Sequence, residues 1–272
     1  MSDKEEKTIG QVVAERLGKG TPEQTTASVP YEDTSRKQIL QNLTANIRND
    51  YVEVELPSRG KFYSEPVLIR PFSFEEERMM MTASKASGKD LINNLMARCI
   101  QGVDVRDLVL PDKIYLLFKL REISYGNEYK VNIQCQECDN PNELIIEIDK
   151  LGVDLMPAEE SITAIIHLPG ADQEVEVGLL RVKDENILTD TRKVLDNLYL
   201  FINRVSDVTD KDIIRAFVRK LPARDVSILK NAILNKSWGL DSNVHFVCSQ
   251  CEATNLSDLP LNADFFSVNS GD

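Results

Sequence analysis

The chain has 272 residues, 42% of them hydrophobic and 28% charged, a balance typical of globular proteins. This composition excludes a wholly disordered chain, a collagen-like chain and a disulfide-dense miniprotein. Lys and Arg number 32 against 44 Asp and Glu, and the resulting net charge of −12 argues against a main role on nucleic-acid backbones. No apolar run reaches the length of a membrane span, and the acidic start lacks the hydrophobic region of a signal peptide. We therefore expect no membrane partner and no secretion.

The first 48 residues read differently from the rest. The stretches 18–22 and 25–30 are linker-like and bury too little to offset the entropy of ordering them, so we predict a flexible N-terminal arm over 1–48. Short amphipathic helices are expected within it, one near its start and one over 34–47. The first carries a narrow apolar stripe at helical spacing, formed by Ile9, Val12, Val13 and Leu17. This stripe is either a partner-docking motif or part of a frayed tail.

From residue 51 the pattern changes to that of a folded core. Apolar and charged residues alternate over 51–56, which predicts a half-buried strand. Ser73 and Glu76 stand three apart, as in a capping box at the start of a helix. The elements predicted up to residue 126 are strands over 51–56 and 67–70 and helices over 74–86, 89–101 and 111–123.

The rest of the chain alternates between β-rich and helical parts. Strands are predicted over 128–134, 143–148, 161–168, 174–182, 244–247 and 259–265. Helices are predicted over 186–204, 210–220 and 223–236. The helical stretch over 186–236 is too short to bury a large core by itself. We therefore favour one continuous core over a subdomain inserted between the two cysteine pairs. The predicted fold is thus α+β, with mixed helices and short antiparallel strands in a single core over 49–272.

Four of the five cysteines form two C-x-x-C pairs, and each pair lies between two predicted strands. In such a zinc knuckle both thiolates face one ion while backbone N–H groups of the turn point at the sulfurs. Two knuckles supply the four soft ligands that fill the tetrahedral shell of Zn²⁺ and leave no open position for catalysis. We therefore predict one structural zinc site joining two knuckle hairpins, with the ligands Cys135, Cys138, Cys248 and Cys251.

Other readings of the cysteines stay open. An iron–sulfur cluster also takes four cysteines. A thioredoxin-like redox pair is disfavoured because neither C-x-x-C opens a helix. His245 could replace one cysteine as a ligand, whereas Cys99 reads as a small buried hydrophobe. Asp139 and Glu252 stand where knuckles often carry glycine, with Asn140 and Asn255 nearby to help form the turns.

No catalytic motif is found. The sequence has no nucleophile elbow, no phosphate-binding loop and no dinucleotide-binding glycine pattern. The acids at 75–77, 210 and 212 stand at predicted helix starts, where the helix dipole favours them without any catalysis. The tract containing Glu143, Glu147 and Asp149 reads as a solvated face, with a hard-cation site as the alternative. A basic cluster is expected either to line a solvated rim or to meet an acidic partner, and it consists of Arg59, Lys61, Arg70 and Arg78.

Several stretches together resemble the baseplate hub protein family of T-even-type contractile-tailed bacteriophages. The resemblance covers about residues 50–268 in order and spacing and leaves out the N-terminal arm. It rests on LPSRGKFY at 56–63, IRPF at 69–72 before the acids at 75–77, LREISYG at 120–126, FVCSQC at 246–251, LPL at 259–261 and DFF at 264–266.

This resemblance implies a non-enzymatic structural or assembly role in the tail baseplate hub. The implied partners are other hub, tail tube or tape-measure proteins, and the implied location is the host cytoplasm during assembly and then the virion tail. The family offers no catalytic residues, and the metal ligands carry over only as the four cysteines. The competing interpretations are a zinc-ribbon adaptor that binds nucleic acid or protein and an enzyme with a structural zinc. The sequence sets no oligomeric state.

Overall fold

The computed structural model describes residues 34–47, 50–82, 88–160, 162–187, 191–234, 237–261 and 263–266. The chain divides into two units, Met1–Arg48 and Asn49–Asp272. The predicted docking stripe lies outside the described residues, and its members are Ile9, Val12, Val13 and Leu17.

The described part of the first unit is a single helix, α1, over Thr34–Thr44. It begins where the sequence predicts and ends at Thr44, whose hydroxyl donates to the carbonyl of Leu40 at 2.9 Å. Its predicted apolar face, with Ile39, Leu43 and Ile47 four residues apart, is exposed to solvent.

The second unit contains the other α-helices of the described residues, and none of them is long and apolar enough to cross a membrane. They are α2 (Phe74–Thr82), α3 (Gly88–Cys99), α4 (Leu110–Tyr125), α5 (Thr191–Asn197), α6 (Lys211–Val218) and α7 (Ala223–Leu234).

All strand pairs in the described residues are antiparallel. Two three-stranded sheets have the orders β1-β2-β3 and β7-β8-β9, and three further pairs are β4-β5, β6-β10 and β11-β12. The α+β class predicted from the sequence is therefore confirmed. The strands are β1 (Val52–Glu53), β2 (Leu68–Ile69), β3 (Ile100–Gln101), β4 (Glu128–Gln134), β5 (Pro141–Glu147), β6 (Val153–Asp154), β7 (Ala164–Leu168), β8 (Gln173–Val177), β9 (Ile202–Val205), β10 (Gly239–Leu240), β11 (Asn243–Val247) and β12 (Thr254–Asp258).

One large hydrophobic cluster forms around α4, whose apolar residues point in several directions and are therefore buried on several sides. Hairpins β4-β5 and β11-β12 each present one face to this cluster, as the alternation of buried and exposed residues along β4 shows. Phe265 closes one side of it, because its ring packs edge-on against Phe118 and Tyr129 at centroid distances of 4.9 and 5.1 Å. Both hairpins thus share one core.

A second large cluster lies between the β7-β8-β9 sheet and helices α5–α7. Leu110, at the start of α4, is partly buried and packs against both clusters. The β7-β8 turn is tied to α7 by the buried carboxylate of Asp225, which accepts the N–H groups of Gly170 and Ala171 at 3.0 and 2.8 Å. A side chain at Gly170 would press on that carboxylate, so the turn requires glycine there.

Some predicted strands are shorter in the structure, since β1 covers only Val52–Glu53 and β8 ends at Val177, and two predicted elements take another form. The predicted helix over 186–204 ends early, and Ile202 and Val205 instead pair with β8 and enter the second core as β9. The strand predicted over 259–265 is not formed in its described residues, 259–261 and 263–265. The second hairpin turns back at once into β12, while the residues after Pro260 end in a 3₁₀ turn at Ala263–Phe266. In both places burial against a neighbouring element outweighs the local pattern.

Glu76 in α2 is the most heavily bonded buried carboxylate of the fold. Its side chain is 0% exposed and accepts from Arg70 through both oxygens at 3.1 Å and from Arg98 Nε at 2.7 Å. The N–H and hydroxyl of Ser73 donate at 2.9 and 2.6 Å, which forms the carboxylate half of the predicted capping box. Burial alone raises the pKa of Glu76, but hydrogen bonds from Arg70, Ser73 and Arg98 outweigh it and hold this pKa well below its ordinary value.

We predict that Glu76→Gln lowers the free energy of unfolding by about 3 kcal/mol, because it leaves two arginines around a neutral amide. The matched control is Glu75→Gln, which removes only an exposed pair with Arg78 and should cost less than about 0.5 kcal/mol. Urea unfolding of both variants measures the difference, and equal losses would contradict the buried network.

The same measurement has a pH dependence of known sign. Since the folded state lowers the pKa of Glu76, its stabilisation is present above the ordinary carboxyl pKa of about 4.3 and is lost as the pH falls below that value. The difference between wild type and Glu76→Gln should therefore shrink below about pH 4.

Candidate metal centre

The two C-x-x-C pairs lie at the tips of hairpins β4-β5 and β11-β12. In each hairpin the first cysteine donates its N–H across the turn, Cys135 to Asn140 O and Cys248 to Ala253 O, both at 2.9 Å. These bonds continue the strand ladders into the turns, so each knuckle is a direct extension of a hairpin that the core already holds.

Both knuckle turns need a left-handed residue after the second cysteine. Asp139 and Glu252 take φ values of 56° and 61° there, in the region that usually favours glycine. Their N–H groups donate to the carbonyls of Cys135 and Cys248 at 3.0 and 3.1 Å, which closes each turn. The absence of glycine at these positions is therefore compatible with a formed knuckle.

The structure brings the four predicted cysteines together. Their sulfur atoms all lie within 4.8 Å of one another, and no other group of three or more potential metal ligands forms within the described ranges. Between the hairpins, Cys135 Sγ lies 3.6 Å from Cys251 Sγ, and Cys138 Sγ lies 3.7 Å from Cys248 Sγ. A disulfide would need about 2.05 Å. A tetrahedral ion with metal–sulfur bonds of about 2.3 Å sets sulfurs about 3.8 Å apart, so the donor set fits a single metal ion.

Backbone groups polarise the first cysteine of each pair. The N–H groups of Glu137 and Gln250 each lie 3.4 Å from the sulfur of the cysteine two residues before them. The backbone N–H groups of Cys251 and Gln250 lower the pKa of Cys248 to about 6. Burial raises the pKa of Cys135, but the backbone N–H groups of Glu137 and Cys138 outweigh burial and lower this pKa overall.

The second cysteine of each pair behaves in the opposite way. The N–H of Asn140 favours the Cys138 thiolate, yet hydrogen bonds shared with Cys251 and Cys248 raise the pKa of Cys138 to about 12. The N–H of Ala253 and the contact with Cys138 lower the pKa of Cys251, but burial and hydrogen bonds shared with Cys135 and Cys248 raise it overall. Four sulfurs this close cannot all ionise alone, so a cation is needed to hold them as thiolates.

The other candidate residues lie apart from the centre. His245 is exposed on β11 and is not part of the ligand group. Cys99 is buried at the end of α3, where burial raises its pKa to about 12. Glu143, Glu147 and Asp149 are exposed and form no ligand group of three or more.

The predicted basic cluster is largely used inside the protein. Arg59 Nε donates to the carbonyl of Met156 at 2.9 Å. Arg70 and Arg78 pair with glutamates of α2. Lys61 Nζ donates to three carbonyls of one loop, those of Pro157, Ala158 and Glu160, at 3.1, 2.7 and 3.0 Å.

Sequence reasoning missed Asn142 and assigned Asn255 only to the turn of its own knuckle. Asn142 and Asn255 are buried, and their side chains reach the knuckles. Asn140, which the sequence predicts to help form the first turn, donates through Nδ2 to Ser249 Oγ and to the carbonyl of Pro141. The signal was present in the spacing: Asn142 and Asn255 each stand four residues after the second cysteine of their pair.

Comparison with protein families gives one match that covers most of the chain. Residues 48–267 match the T4 bacteriophage base plate protein family. The chain belongs to that family. Comparison with curated proteins and with solved structures gave no match. The family supports a structural role for this base plate protein in the phage tail, with other baseplate proteins as its partners.

We predict that Cys248→Ser abolishes metal binding and lowers the midpoint of thermal unfolding by about 10 °C, because the site loses a ligand and no longer joins the hairpins. Elemental analysis and thermal melts measure both effects. A chelator should bring the wild type to the same midpoint and leave the variant unchanged. The control Cys99→Ala should lose some packing but keep its metal, and a metal-free wild type would contradict the site.

Proposed function

We propose that this base plate protein is a non-enzymatic structural or assembly protein of the baseplate hub whose fold is stapled by one zinc ion. The single observation that carries the baseplate assignment is the family match over residues 48–267. The more specific hub assignment is supported by the resemblance of the stretches 56–63, 120–126 and 246–251 to the hub protein family. The zinc assignment rests on the four clustered sulfurs.

The geometry favours zinc in a structural role. Four cysteines fill the tetrahedral shell and leave no position for water or substrate, so the ion would supply folding energy rather than chemistry. An iron–sulfur cluster spreads its cysteines over several irons, whereas sulfurs 3.6–3.7 Å apart suit one ion. The ligands would be Cys135, Cys138, Cys248 and Cys251.

The proposed partners are other hub, tail tube or tape-measure proteins, met in the host cytoplasm during assembly and then in the virion tail. Such an assembly contact needs a rigid surface, and the metal centre would fix two hairpins that share one core. The alternative of a nucleic-acid adaptor is disfavoured by exposed acids around the knuckles, where Glu137, Asp139 and Glu252 would repel phosphates.

The baseplate proposal predicts that the chain co-purifies with tail structures from infected cells. Quantitative mass spectrometry should find it in mature baseplates at a fixed ratio to other tail proteins, or only in assembly intermediates. The first result identifies a permanent subunit and the second an assembly factor. A phage carrying a nonsense codon in this gene should accumulate no complete baseplates, and normal baseplates in its absence would contradict the proposal.

We also propose that the N-terminal arm docks on a baseplate partner through Ile9, Val12, Val13 and Leu17. The exposed apolar face of α1 supports this role, since the described part of the same unit also leaves apolar residues uncovered. Changing the four residues to Ser, or deleting residues 1–30, should weaken capture by assembly intermediates from cells infected with the nonsense phage. Thermal stability should stay nearly unchanged.

The matched control changes Gln11 and Glu15, which stand between the apolar positions, to Ser. This variant should bind as the wild type does. Undiminished capture of the stripe variant would overturn the docking role.

A further inference from the structure

The two knuckle hairpins share the same set of backbone contacts. The backbone bonds across each turn and the N–H donors to each first sulfur recur with distances equal within 0.1 Å, and a left-handed residue follows each pair. The sulfur contacts run between the hairpins, from the first cysteine of one pair to the second of the other. The centre therefore has the pattern of two equivalent halves related by a local two-fold exchange.

Within this pattern each hairpin contributes its asparagine to the other hairpin's knuckle. Asn142, in β5, accepts the N–H of Ser249 at 2.8 Å through Oδ1 and places Nδ2 at 3.7 Å from Cys248 Sγ. Asn255, in β12, accepts the N–H of Gln136 at 2.9 Å and places Nδ2 at 3.5 Å from Cys135 Sγ. The exchange is thus reciprocal.

The orientation of both amides is determined by their partners. A backbone N–H requires the amide oxygen as its acceptor, so the nitrogen must face the sulfur. The remaining amide hydrogen is also used, because Nδ2 donates to Asn140 O at 2.8 Å in one hairpin and to Ala253 O at 2.9 Å in the other. The asparagines are only 5% and 3% exposed, and every polar group of each side chain has a partner.

We propose that Asn142 and Asn255 are positioning residues of the metal centre, each holding the opposite knuckle in register and donating to its first thiolate. This inference rests on the proposed zinc site and deepens it. Four thiolates around one divalent ion leave an excess of two negative charges. A buried amide donor offsets part of that excess without competing for the ion. An aspartate of the same shape would supply no N–H and would add charge.

The test compares Asn142→Asp, Asn255→Asp and Asn140→Asp in the full chain. Affinity for Zn²⁺ is measured by competition with a chromophoric chelator, and the sulfur-to-metal charge-transfer band is recorded with Co²⁺. The first two substitutions should each weaken Zn²⁺ binding by about 10- to 100-fold, the usual cost of losing an outer hydrogen bond to a ligand. The reciprocal geometry further predicts that these two losses agree within about threefold and that both shift the Co²⁺ band.

Asn140→Asp is the matched control. It adds the same charge two residues from Cys138 but removes no donor to a sulfur, since the Asn140 side chain contacts Ser249 Oγ and Pro141 O. It should change affinity by less than about threefold and leave the Co²⁺ band in place. If an aspartate variant fails to fold, Asn142→Ala and Asn255→Ala replace it without added charge.

The outcomes separate this inference from the metal proposal itself. Zn²⁺ affinity unchanged in Cys248→Ser would overturn the metal site. Loss of binding in Cys248→Ser with wild-type affinity and an unshifted Co²⁺ band in both asparagine variants would overturn the positioning role alone. Equal losses in Asn140→Asp and Asn142→Asp would show a charge effect and would also reject it.

Discussion

The approach of two β-hairpins at four sulfur atoms is a long-range constraint that encloses a large part of this fold. It joins parts of the chain separated by 109 residues, between Cys138 and Cys248. All the buried residues of the second cluster, and the β7-β8-β9 sheet with them, lie in the loop that this contact closes. Closing a loop of that length is costly for an unfolded chain, so a bond that persists there removes many unfolded conformations. The hairpins also share the first core, which aligns their tips before any ion is considered.

Buried carboxylates also connect distant parts of the chain, because they hold loops against helices. Asp112 in α4 accepts the N–H of Ser58 at 3.0 Å and the hydroxyl of Tyr63 at 2.8 Å, although its burial raises its pKa. The stretch 56–63, part of the family resemblance, is thereby fastened to the central helix. Lys61, in the same stretch, donates through Nζ to the carbonyls of Ala158 and Glu160 in the loop before β7. These contacts hold the stretch 56–63 against the rest of the second unit.

Much of this could be predicted from the sequence because it is encoded locally. The alternation in 128–134 matches β4 residue for residue, and the spacing of the cysteines indicated both knuckles. The missed features depend on residues distant in the chain. The residues around Ile202 do not indicate that it pairs with Val177 in a sheet. Phe265 does not form a strand because its ring packs against the rings of Phe118 and Tyr129. Glu76 looked like a dipole-favoured acid because its arginine partners, Arg70 and Arg98, lie on other segments. The sequence predicts a turn role for Asn255 and none for Asn142, because each side chain contacts the knuckle of the opposite hairpin, which is distant in the chain.

The separation of the two hairpins along the chain also means that the two halves of the centre are synthesised at different times. A ribosome that has completed the first knuckle must still translate the whole intervening segment before Cys251 appears, which takes about 10 s at typical bacterial rates. During that interval the nascent chain contains Cys135, Cys138 and Asn142 of the first hairpin. The matching residues of the second hairpin, Cys248, Cys251 and Asn255, have not yet been made. The four-sulfur centre can therefore be completed only after Cys251 has been made. A chain terminated before Cys248 would lack the second half of the site, so the centre distinguishes chains that carry both hairpins from shorter fragments.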